Sequence, residues 1–253
     1  MPSLEATTYG GSVTNEISAA ERLCGLVTGV LDDRLCSFIV YGSAATGDIL
    51  PRYSDLDLLI LLRGQVTLDD AMDLHSQVVG LDLAPYAYVQ PTFVLEANVS
   101  PLLVAGTFVV LSGSDPPIGA IQSEDDLRRN GTKWLAELPS LVSRDAADWA
   151  LAAVDVPRRA RLALTRLKPA IRALLVREGA TPGDAWAMTW DAMLSRVADV
   201  DEQVHDQASE AIAAARSDAG APDDVGTAAM LALRRICDLQ TDEPSMHPLT
   251  ISN

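Results

Sequence analysis

Two aspartates spaced two residues apart are the side chains in this sequence whose chemistry is easiest to anticipate. Asp55 and Asp57 open an apolar run that ends at Leu62, which is typical of a buried strand. Because alternate residues of a strand point to the same side, both carboxylates leave one face. Two such carboxylates repel each other and favour an intervening cation, and Mg²⁺ binds carboxylates together with nucleotide phosphates. The spacing therefore predicts a magnesium site.

A glycine–serine turn precedes this pair. Residues 36–41 are apolar and typical of a strand, and Gly42 and Ser43 follow them directly. Backbone N–H groups at a helix start can donate to phosphate oxygens, and a glycine lets a phosphate approach the backbone. A P-loop is excluded, because Gly47 is followed by Asp48 rather than by Lys and Ser or Thr. Together, the glycine–serine turn and the aspartate pair indicate phosphoryl or nucleotidyl transfer. That reaction depends on positioning the phosphates and neutralising their charge.

The pattern of apolar residues around these motifs predicts strands and helices, so the first half of the chain is expected to be of the α/β class. Strands are expected at residues 36–41, 55–62, 81–89 and 107–111, and helices at residues 17–31 and 67–79. Thr67 is the expected N-cap of the second helix, and Pro85 favours an edge or a bulge for the third strand.

The spacing of apolar residues in the sequence changes after residue 120. Apolar residues then keep helical spacing, and long amphipathic helices are expected at residues 158–177 and 186–200. We therefore expect a first domain at residues 1–120 and a helical domain at residues 121–253.

Composition narrows the class of ligand. Nineteen Lys and Arg residues against thirty-five Asp and Glu residues give a formal net charge of −16. A long nucleic acid requires a basic track, so we expect none as a partner, whereas a small cationic ligand is attracted. An acidic surface also serves solubility alone. The dispersed cysteines, and a sequence with neither a signal peptide nor a long apolar stretch, favour the cytoplasm and no membrane contact.

Two segments of the sequence also resemble the signature of a known family. The segments at residues 38–43 and 54–59 resemble the signature of the polymerase-β-like nucleotidyltransferase superfamily. The resemblance implies a small mixed sheet with flanking helices, two Mg²⁺ ions on Asp55 and Asp57, and transfer of a nucleoside monophosphate with release of pyrophosphate. It also implies nucleotide contacts at Gly42, Ser43 and Ser54.

That family completes its metal site with a third carboxylate on a later neighbouring strand. Asp82 is the best-placed candidate in this sequence, with Glu96 in reserve. Asp82, or an aspartate that shares its metal, would accept the proton of the acceptor hydroxyl.

The whole chain resembles the aminoglycoside adenylyltransferases that modify streptomycin and spectinomycin. The similarity lies in the order of the two halves and in residues 162–167 and 180–187. It implies ATP as co-substrate, a phosphate contact for Arg166, and contacts of Trp149 and Asp155 with a cationic drug. Pro169, where the family has an aromatic region, predicts a kink or an end in the helix.

Two other functions stay open from the sequence. One is nucleotide transfer to a protein or to a tRNA end. The other is a non-catalytic regulator that keeps the nucleotide pocket, which the loss of the third carboxylate would favour. The sequence leaves open the acceptor hydroxyl, the choice of ATP over other nucleotides, and the oligomeric state.

Overall fold

The structure, a computed structural model, describes residues 18–151 and 155–241, and the side chains of residues 148–151 lie outside that description. The chain divides into two compact units, Met1–Ile121 and Gln122–Asn253. The first combines a sheet with helices and the second is helical wherever it has regular structure, so the predicted fold class is confirmed.

The first unit is built on a mixed sheet of four strands. Its strands are β1 (Leu35–Tyr41), β2 (Leu56–Leu62), β3 (Val89–Leu95) and β4 (Phe108–Gly113), and its helices are α1 (Ser18–Leu31), α2 (Ser43–Thr46) and α3 (Leu68–Val78). The strand order is β3-β2-β1-β4. β1 runs antiparallel to β2 and β4, whereas β2 and β3 are parallel. β2 is therefore a central strand, and its first residues lie inside the sheet.

Apolar residues cover the two faces of this sheet. Leu58 and Ile60 of β2 pack with α1 in one cluster, and Leu59 and Leu61 pack in a second cluster on the opposite face. Fully burying one such side chain contributes about 1.5–3 kcal/mol, so β2 is anchored on both sides. This double burial fixes the register of the strand and with it the position of Asp57.

The predicted strand at residues 81–89 is wrong, because the strand begins where that segment ends. Residues 79–88 form a loop of turns, in which Ala84 N donates to Asp82 Oδ1 (3.0 Å) and Tyr86 N donates to Leu83 O (2.9 Å). Leu83 and Tyr86 pack on the core beside α1 from this loop. Apolar side chains of a packed loop thus imitate the pattern of a strand.

The second unit contains six helices within the described residues. They are α4 (Glu124–Leu151), α5 (Val156–Arg177), α6 (Pro182–Ala187), α7 (Trp190–Val197), α8 (Glu202–Arg216) and α9 (Pro222–Thr241). α5 packs against α4 and α9, and α8 packs against α9. The buried residues of α5 include Ala160, Ala163, Ala170 and Ala173, whose small side chains permit close packing between helices.

α5 continues through Pro169 to Arg177, so of the kink or end expected at this proline the end is excluded. A second expectation for this unit was wrong. The single helix expected at residues 186–200 is two helices, because the Thr189 side chain accepts a hydrogen bond from Ala192 N and starts α7 anew. Across residues 18–151 and 155–241, no helix is long and apolar enough to cross a membrane.

Candidate active site

The centre of the candidate site is the close approach of Asp57 to Gly42. Gly42 follows β1 directly and has a φ of 70°, a backbone conformation that side chains rarely permit. A Cβ atom built on Gly42 would lie 2.6 Å from Asp57 Oδ2, so only a glycine leaves room for that carboxylate. The glycine and the aspartate, predicted as separate motifs, are brought together in the structure.

Ser43 begins the short helix α2 next to this glycine. Gly42 is the N-cap of α2, and no side chain caps the helix start. Thr46 holds the turn closed: its Oγ1 donates to the carbonyl oxygens of Gly42 (3.2 Å) and Ser43 (3.3 Å). The helix start thus follows directly on the glycine that Asp57 approaches.

Ser54 is part of the loop that leads into β2. Its Oγ accepts a hydrogen bond from Leu50 N (2.9 Å), and its carbonyl accepts one from Ala87 N (2.8 Å). These contacts join the loop to residues 79–88 and fix the direction in which Asp55 enters the strand. The predicted nucleotide contact of Ser54 stays a prediction.

Asp57 lies in a row of side chains across the sheet. In the strand register, Tyr41 and Gln90 are its partners on β1 and β3. Leu58 and Val89 belong to one apolar cluster and Tyr41 to the other, so Asp57 and Gln90 share the face of Tyr41. Burial raises the pKa of Tyr41 to about 12, and the negative charges of Asp57 and Asp55 add to the rise. Tyr41 is therefore a neutral neighbour of the two carboxylates.

The hydroxyl of Tyr88 connects Asp55 with Gln90. Tyr88 Oη lies 3.0 Å from Asp55 Oδ2 and 3.2 Å from Gln90 Oε1. Sequence reasoning missed both residues, because it placed the strand eight residues too early. The alternation of apolar and polar residues from Val89 onwards was the signal that could have located Gln90 beside Asp57.

Neither candidate for the third carboxylate is a strand partner of Asp57. Asp82 is exposed in the loop before β3, not on a strand, and its carboxylate accepts from Ala84 N. Glu96 follows β3 at the end opposite Gln90, about 20 Å away at the rise of an extended strand. Cys36 Sγ donates to Glu96 Oε2 at that end (3.5 Å). Glu96 cannot share an ion with Asp57, and the strand on which the choice of Asp82 depended does not exist.

The donor set fits a magnesium–nucleotide complex. Asp57 supplies hard oxygen ligands beside Gly42, and Asp55 adds a second carboxylate, whose charge acts on Tyr41 as that of Asp57 does. Mg²⁺ takes one or two protein carboxylates when nucleotide phosphates supply further oxygens. Two carboxylates therefore satisfy its usual protein contribution.

Comparison with known proteins shows what this part of the chain is similar to. A family model described as nucleotidyltransferase domain matches residues 27–98, which contain Gly42, Asp55 and Asp57. This part of the chain is therefore similar to a nucleotidyltransferase domain. The fold also matches the crystal structure of spectinomycin adenyltransferase AAD(9) from Enterococcus faecialis with ATP and spectinomycin, at a TM-score of 0.53 and 12% identity. The match covers 86% of this chain and 98% of that chain. No curated protein matches the sequence.

The other predicted site residues lie outside the residues that the family model matches. Arg166 Nε donates to Asp145 Oδ2 (3.2 Å), and the guanidinium lies 5.9 Å from the centre of the Trp134 ring. Asp155 is exposed and caps α5 by accepting from Arg158 N (3.1 Å). The side chain of Trp149 is outside the described residues. Their ligand contacts stay predictions.

Proposed function

We propose that the chain transfers AMP from ATP, with Mg²⁺, to a hydroxyl group of a small cationic acceptor of the aminoglycoside class. The observation that carries this proposal is the Asp57 carboxylate lying over Gly42, with Asp55 on the same face, within the nucleotidyltransferase domain. Such a domain needs charge neutralisation and positioning at the phosphates, and this corner of the sheet supplies residue types suited to both.

In this proposal Asp55 and Asp57 hold Mg²⁺, and the phosphates of ATP lie over Gly42 and Ser43. Bound Mg²⁺ would neutralise phosphate charge and orient the α-phosphate. The acceptor oxygen attacks the α-phosphorus in line and forms a new O–P bond. The bond from that phosphorus to the bridging oxygen breaks, and pyrophosphate leaves. The hydroxyl proton passes to a carboxylate of the pair, since the amide of Gln90 is not a base.

A cationic acceptor is supported by charge and by fold. The net charge of −16 attracts cations and disfavours nucleic acid. AAD(9), which shares the fold, was crystallised with ATP and spectinomycin. We propose that Trp149 and Asp155 contact the acceptor. For Arg166 we propose a phosphate contact through its Nη atoms, because Nε already donates to Asp145.

Transfer of label from ATP tests the proposal. The protein is incubated with α-labelled ATP, Mg²⁺ and a panel of aminoglycosides and aminocyclitols, and small-molecule products are separated from protein. We expect one labelled small molecule and stoichiometric pyrophosphate. Asp57→Asn should abolish labelling, whereas Asp73→Asn, the same substitution at an exposed position of α3, should leave it unchanged. Label on protein, or turnover retained in Asp57→Asn, would contradict the proposal.

A second candidate function is favoured by Gln90. With an amide at the position beside Asp57, the pocket would bind nucleotide as a regulator without transfer. In that case calorimetry would detect Mg·ATP binding, and no acceptor in the panel would release pyrophosphate.

A further inference from the structure

The neighbour of Asp57 on β3 is the amide side chain of Gln90 rather than a carboxylate. Gln90 pairs with Asp57 in the register and lies on the same face. Within residues 18–151 and 155–241, no group of three His, Cys, Asp or Glu side chains is placed to hold a metal ion. The protein therefore offers two negative charges to a cation at this corner of the sheet.

The Tyr88 contact indicates how the Gln90 oxygen is used. A tyrosine hydroxyl carries one proton, and the charged carboxylate of Asp55 is a stronger acceptor than an amide oxygen. When the Tyr88 hydroxyl donates its proton to Asp55, the Gln90 Oε1 atom keeps its lone pairs for another donor or a cation. Asp55 Oδ2 and Gln90 Oε1 lie 3.0 Å and 3.2 Å from the same hydroxyl oxygen, so their separation cannot exceed the sum of these two distances.

We propose that Gln90 is the third protein ligand of the cation, through its neutral amide oxygen, and that the site consequently binds its divalent cation together with the nucleotide rather than before it. The proposal rests on the proposed function, because it assumes the cation on Asp55 and Asp57. Affinity for a hard cation rises with the number of charged ligands. Two carboxylates and an amide bind the bare ion weakly, and the triphosphate supplies the missing charge.

Binding of Mn²⁺, a spectroscopic substitute for Mg²⁺, tests this proposal without any turnover. Electron paramagnetic resonance measures the Mn²⁺ left in solution, first without nucleotide and then with a non-hydrolysable ATP analogue. We expect Gln90→Glu to tighten binding of the bare ion at least about tenfold, because it adds a third charged ligand. Gln65→Glu adds the same charge at an exposed position beyond the opposite end of β2 and should not change Mn²⁺ affinity.

The outcomes separate this inference from the proposed function. If Asp57→Asn weakens Mn²⁺ binding but Gln90→Glu leaves it unchanged, the aspartate site stands and Gln90 is not a ligand. If Asp57→Asn has no effect on Mn²⁺ binding with or without nucleotide, the metal site of the proposed function is wrong.

A second variant keeps the inference testable if Gln90→Glu does not fold. Gln90→Leu removes the amide oxygen and adds no charge. It should weaken Mn²⁺ in the complex with the ATP analogue about tenfold or more, the effect expected for loss of a metal contact. Unchanged affinity in a variant that unfolds in urea like the wild type would overturn the inference.

Discussion

Replacing Gly42 by alanine is the sharpest perturbation of this site, because the structure gives the size of the conflict. The added methyl group would lie 2.6 Å from Asp57 Oδ2, against 3.4 Å or more for an ordinary contact, so the carboxylate must move by about 0.8 Å. The backbone of Gly42, with φ 70° and ψ −141°, lies in a region adopted almost only by glycine, and holding a residue with a Cβ there costs about 1–3 kcal/mol. A displacement of about 1 Å in a catalytic site can lower the rate about 100-fold.

We therefore expect Gly42→Ala to lower AMP transfer about 100-fold and the free energy of unfolding by about 1–3 kcal/mol, since strain and displacement act together. Pyrophosphate release and urea denaturation measure the two effects. Gly106→Ala is the matched control, because Gly106 has a φ of 77° and open space where its Cβ would stand. It should show a backbone cost from its own positive φ and no loss of transfer. If Gly42→Ala transfers AMP at the same rate as Gly106→Ala, the argued conflict between the added methyl group and Asp57 is refuted.

Two further predictions concern stability. Hydrogen bonds from Arg34, and then from Thr67, hold the pKa of Asp70 well below its ordinary 3.8. Asp70 therefore stabilises the fold above about pH 4, and the stability difference between wild type and Asp70→Asn should shrink as pH falls below that value; urea denaturation from pH 7 to pH 2.5 checks this, and a constant difference would contradict it. Asp201 caps α8 at Val204 N and forms an ion pair with Arg235 of α9 at 2.7 Å, with its side chain 10% exposed. Asp201→Ala should lower the free energy of unfolding by about 2–4 kcal/mol in urea denaturation, and a loss below about 1 kcal/mol would show that the pair contributes little.

The parts of the fold that sequence predicted well carry local signals. β1 and β2 are short apolar runs, and both were located to within one residue. α3 begins where Thr67 and Asp70 form a reciprocal pair of capping hydrogen bonds. A threonine followed three positions later by a carboxylate is a local signal of such a helix start. These elements also position Gly42 and Asp57, so the centre of the site followed from the sequence.

The part of the site that sequence missed depends on pairing between distant segments. Whether Asp82 or Gln90 lies beside Asp57 is decided by the parallel register of β2 with β3, and no local pattern states that register. The loop before β3 also carries core-packing residues, so its pattern imitated a strand. Arg166 shows the same limit, since its contact with Asp145 joins two helices of the second unit.

Binding of a non-hydrolysable ATP analogue with and without Mg²⁺ tests the central claim most directly. Isothermal titration calorimetry compares the wild type with Asp57→Asn, a substitution that removes the charge and keeps the shape. We predict that Mg²⁺ tightens analogue binding at least about tenfold in the wild type, because the carboxylates hold the ion against the phosphates. The same addition should have no effect in Asp57→Asn. An equal gain from Mg²⁺ in both proteins would contradict the claim that Asp57 holds the cation of the nucleotide.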